Sequence, residues 1–147
     1  LRAPRPDTVG RRMDAELLVR AERDEKSVRF LETVAQQVAI FEAMPRAEQI
    51  ASLERTLRGE TRSEAEKSIA AYAAGDEGAL AESVLARPGA RAFTTALLGE
   101  RNRTWLRVLG PELRHGGVFV AVGVAHLLGP QSLLSMLEAQ GFRVTRI

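Results

Sequence analysis

The 147-residue chain has no cysteine, one tryptophan, one tyrosine and two lysines, Lys26 and Lys67. Each scarcity removes a class of function. Without cysteine there is no disulfide scaffold, no thiolate zinc site and no thiol nucleophile, so any metal must rest on His, Asp or Glu. So few aromatic rings leave little to stack on nucleic-acid bases. Positive charge is also scattered: Arg11-Arg12 is the longest clear basic run, and acidic residues interleave with the arginines. A pI of 9.6 on a net charge of +2 therefore reflects arginine use more than a positive field, and no nucleic-acid partner is expected. No apolar run approaches the ~20 residues of a membrane-spanning helix, and Leu1 to Asp7 does not read as a signal peptide. What remains is an ordinary globular composition, 45% hydrophobic and 27% charged, of a length that suits a single domain over 1–147.

Periodicity predicts a helix-rich chain. After an irregular lead-in with Pro4 and Pro6, Met13, Leu17, Leu18 and Ala21 have helical spacing. Ser27 to Leu31, with Val28 and Phe30, is a short strand candidate that ends at Glu32. A helical insert then runs from Thr33, broken at Pro45, Gly59, Gly75 and Pro88-Gly89. Its apolar stripes (Val34, Val38 and Phe41; Ile50, Leu53 and Leu57; Ile69 and Tyr72; Leu80 and Val84) are expected to face the core. A longer helix follows over about Ala90 to Leu109.

The last thirty residues carry the fold class. Val118-Phe119-Val120-Ala121-Val122 reads as a strand buried on both faces, a helix opens at Pro130 and closes at Gly141, and Phe142 to Ile147 reads as a second strand. Strand, helix and strand in that order imply a right-handed βαβ unit. The expected fold is thus α/β, helix-rich, with a small, largely parallel sheet. Both strand ends would point to one rim, where open α/β sheets bind ligands.

Three places on that frame invite chemistry. His126, in Gly123-Val124-Ala125-His126, would stand just past the buried strand, where Gly123 lets a ligand approach the backbone and the imidazole serves as metal ligand or base; a packed loop histidine is the blander alternative. Arg101 and Asn102 lie on apolar lines of their helix with Phe93, Leu97, Trp105 and Val108 and with Leu98, Leu106 and Leu109. A guanidinium placed there needs a carboxylate or a ligand, unless it snorkels to solvent. Glu32, at the end of the first strand candidate, suits either role, as it would suit a plain helix first turn. His115, before two glycines, is read as a solvated residue without a role.

These residues carry a resemblance. Glu100-Arg101-Asn102, Val118 to Gly123 running into Ala125-His126-Leu127-Leu128-Gly129, Leu137 and Gly141-Phe142 resemble the C-terminal signature of the TraB/GumN family. Asp14, Leu31-Glu32-Thr33, Gln37 and Tyr72-Ala73-Ala74-Gly75-Asp76 fall in the family's order upstream. The resemblance implies an α/β fold related to the Tiki metalloproteases and, distantly, to erythromycin-esterase-like and haem-uptake proteins. It implies a metal-dependent, peptidase-like hydrolase whose site joins two Gly-x-x-His motifs, a glutamate and an arginine around a divalent ion (manganese, cobalt or zinc). On that reading Glu32, Arg101 and Asn102 are catalytic, His126 and Glu32 hold the metal, and Gly123 lies against the bound group. Arg101 stabilises the oxyanion, and the substrate is a peptide or another small polar molecule. Bacterial members of the family commonly look exported. Only one Gly-x-x-His is present, so the chain is expected to be the C-terminal half of such a domain, not active alone. The alternative is a non-catalytic module that binds a peptide or a small anion.

Overall fold

Helix is the only regular secondary structure among the described residues, which in this computed structural model are 13–85 and 91–147, with side chains described outside 91–96. The lead-in with Pro4 and Pro6, the Pro88-Gly89 break and the side chain of Phe93 lie outside them. The chain divides into two compact units, Leu1–Leu31 and Glu32–Ile147. In the first, α1 (Met13–Arg23) carries acids in its first turn and arginines in its last, matching the helix dipole, and closes where Lys26 N donates to Ala21 O.

The second unit holds the remaining helices: α2 (Val34–Glu42), α3 (Arg46–Leu57), α4 (Glu60–Ala74), α5 (Glu77–Leu85), α6 (Arg91–His115) and α7 (Leu133–Ala139), with a 3₁₀ turn at Val124–Leu127. Local chemistry sets the boundaries. Thr33 starts α2 with a capping box: its hydroxyl accepts from Gln36 N, and the Gln36 side chain accepts from Thr33 N. Asp76 takes Ala79 N at the start of α5. Ser132, and not Pro130, caps α7 by accepting from Ser135 N. Gly141 ends that helix at φ +87°, a left-handed conformation, with Phe142 N donating back to Leu137 O. The long helix reaches His115, further than its apolar pattern predicts, because Pro111 sacrifices one hydrogen bond without ending it.

The core is small. Ala71 of α4, Leu80 of α5 and Leu128 form one buried cluster, flanked by Ala81, Val84, Leu85 and Val124. Trp105, Leu106 and Leu109 bury a face of α6, and Leu133 is buried at the start of α7, which packs on α6.

Two expectations fail. The fold is helical, not α/β: no sheet and no βαβ unit exists among the described residues. Ser27 to Leu31, Val118 to Val122 and Phe142 to Ile147 contain no strand. Branched side chains favour extended backbone, but a strand exists only where a second one completes its ladder. Val118 to Val122 is not buried on both faces either, since Phe119 is 79% exposed. The second failure concerns the middle helices. Of the expected core stripes only Leu80 and Val84 meet the cluster, while Val34, Phe41, Leu53, Leu57, Ile69 and Tyr72 are exposed. Helical periodicity identifies an apolar face but not the presence of something to cover it.

Candidate functional site

Glu32 and Arg101 meet across the second unit. Glu32 sits immediately before the Thr33 cap, so the start of α2 fixes its backbone, and Arg101 projects from the middle of α6. The guanidinium grips the carboxylate at two points, Nε donating to Oε2 at 3.0 Å and Nη2 donating to Oε1. Gln37, one turn into α2, also donates to Oε1 at 3.0 Å. The carboxylate side chain is only 9% exposed and the arginine 24%. Burial pushes the Glu32 carboxyl up, but hydrogen bonds from Arg101, Gln37 and Trp105, with the charge of Arg101, outweigh it and hold the group below the usual carboxylate range.

Trp105, one turn after Arg101, connects this pair to His126. The Arg101 guanidinium lies 4.8 Å from the tryptophan ring centre, a cation–π distance, and the imidazole of His126 lies 4.2 Å from it, tilted by 36°. His126 occupies the 3₁₀ turn, whose backbone closes through His126 N to Gly123 O at 2.9 Å. Burial, reinforced by the positive charge of Arg101 and opposed by Glu32, lowers its pKa to about 4, so the ring is neutral at neutral pH.

Asn102 is buried beside the imidazole. Its Oδ1 lies 2.7 Å from His126 Nδ1, and its Nδ2 donates to Gln131 O at 2.7 Å and, at 3.4 Å, to His126 O. Nε2 of His126 and Nη1 of Arg101 have no hydrogen-bond partner among the described residues.

Glu32, Arg101, Asn102 and His126 therefore come together, but around Trp105 on α6 and not on the rim of a sheet, which does not exist. Gly123 contributes its carbonyl to the 3₁₀ turn. Its φ is −60°, and a Cβ there would meet His126 Cδ2 at an ordinary 3.9 Å, so nothing in the turn demands glycine. His115 ends α6 in solvent. Three participants are given no site role by the sequence: Trp105 reads as core, Gln37 enters only as one of the residues in the family's order, and Gln131 takes part through its backbone. The i, i+4 spacing of Arg101 and Trp105 is the one available signal.

A divalent ion usually takes three protein ligands. Among the described residues no group of three His, Asp or Glu side chains could hold one. Both oxygens of Glu32 are already engaged.

Neither a curated protein nor a solved structure matches this sequence. Among the described residues no helix is long and apolar enough to cross a membrane. The sequence model of the TraB/PrgY/gumN family does match, over residues 3–146. With nearly its whole length covered, the chain belongs to the TraB/PrgY/gumN family.

Proposed function

We propose that this chain carries part of a peptidase-like hydrolase site for peptides or small polar substrates. His126 is its own ligand to a divalent ion (manganese, cobalt or zinc), a role that needs further donors. The observation that carries the reading is His126 itself, buried, fixed at Nδ1 by Asn102 and left with Nε2 unengaged. A pKa of about 4 is too low for efficient proton transfer near neutrality but keeps the ring a lone-pair donor over almost the whole working range. Beside it, Arg101 retains Nη1 as a charged donor for a carbonyl that gains negative charge. Glu32 holds that guanidinium in place and, with both oxygens engaged, serves the site through Arg101 rather than as a metal ligand.

The incomplete ligand set favours one other reading, a non-catalytic module in which Arg101 Nη1 receives a peptide carboxylate or a small anion. Calorimetric titration separates the two. Cobalt, manganese or zinc should bind the chain weakly, and His126→Ala should abolish that binding. Tight binding that survives His126→Ala would show the ligand assignment to be wrong. No metal binding, together with Arg101-dependent binding of phosphate or a short peptide, would establish the module instead.

A further inference from the structure

The partners of a buried amide dictate the protonation of its neighbour. Asn102 is 1% exposed, so its amide has no solvent with which to trade partners. The backbone carbonyl of Gln131 can only accept, so the Asn102 atom 2.7 Å from it must be the NH₂ group. That leaves Oδ1, an acceptor only, 2.7 Å from His126 Nδ1. A hydrogen bond between them exists only if Nδ1 carries the hydrogen.

We infer that Asn102 is a positioning residue: it locks His126 as the Nδ1–H tautomer and so leaves Nε2 as a fixed lone-pair donor. The surroundings hold the imidazole in that orientation. The Trp105 ring covers it at 4.2 Å, and the 3₁₀ turn anchors its backbone through Gly123 O. Asn102, buried and with both ends of its amide engaged by His126 and Gln131, acts through His126. The opposite tautomer would set a lone pair against Oδ1 and leave two buried acceptors facing each other, which should disfavour it by about tenfold or more. The lock stands on geometry alone; its use toward a cation rests on the hydrolase reading above.

The test is long-range ¹H–¹⁵N correlation of the imidazole at neutral pH. The chain has two histidines, so in the His115→Gln protein only His126 reports. Nδ1 should appear protonated and Nε2 unprotonated. In Asn102→Ala the signals should move toward the Nε2–H form or an average of the two, while Asn102→Asp, which keeps an acceptor toward Nδ1, should retain Nδ1–H. An Nε2–H or averaged signal in the parent protein overturns the inference, and so does an unchanged Nδ1–H in folded Asn102→Ala. Should Asn102→Ala fail to fold, the parent and Asn102→Asp spectra decide it in the same way. Cobalt added to the His115→Gln protein should then perturb Nε2 selectively. If Nδ1–H is present and cobalt has no effect, the ligand reading of His126 falls while the lock stands.

Discussion

Arg101 and Glu32, separated by 69 positions in sequence, form a two-point ion pair at the start of α2, with Trp105 against the guanidinium. The arginine retains some solvent contact, which places the pair between the surface and the fully buried limits. Arg101→Met should cost about 2–3 kcal/mol in denaturant unfolding, because Glu32 would be left buried without its cation. A loss below about 0.5 kcal/mol would mean that the pair contributes nothing to the fold.

Acid should destabilise the protein in two stages. In the unfolded chain His126 takes up its proton near 6.5, but in the folded protein only near 4. Between those values the unfolded state binds more protons, so stability is complete above about pH 6.5 and falls as pH drops toward 4. At about 1.4 kcal/mol per pH unit, the total is on the order of 3 kcal/mol. Glu32, whose pKa is lowered, adds a loss of the same sign at lower pH, as its carboxylate protonates. In His126→Gln the first stage should vanish and the second remain. Unfolding free energies measured across pH 7.5 to 4 would contradict this if parent and variant ran parallel.

The two glycines flanking the histidine turn should behave differently. Gly123→Ala should change stability by less than about 0.5 kcal/mol, since its backbone is ordinary and the added methyl meets only Cδ2 of His126 at 3.9 Å. Gly129→Ala should cost about 1–3 kcal/mol, because φ is +77° and the new Cβ would stand 2.9 Å from Leu85 Cδ1. Equal effects in thermal unfolding would refute the distinction.

Ser132→Ala should fray the start of α7 and cost about 1 kcal/mol, the usual value of a lost N-cap. The same change loosens the segment that offers Gln131 O to Asn102, so hydrogen exchange should rise at Ser135 and at the backbone around His126. Protection unaltered at both places would show that the cap is dispensable.

Sequence alone determined the local events and the chemistry on offer. The helical run from Thr33 and the close of α7 at Gly141 were readable, and an arginine within an apolar helix stripe needed a carboxylate or a ligand unless it snorkelled, with Glu32 one match on offer. Family membership was legible too, because its motifs lie in order along the chain. Tertiary structure decided the rest. Val118 to Val122 has the composition of a buried strand, yet a ladder needs a second strand, and no local pattern reports whether one is present. The exposed stripes of α2 and α3 teach the same lesson for helices. The links from Trp105 to His126, from Asn102 to the Gln131 carbonyl and from Gln37 to Glu32 depend on how turns bring side chains together, and periodicity carries no record of that.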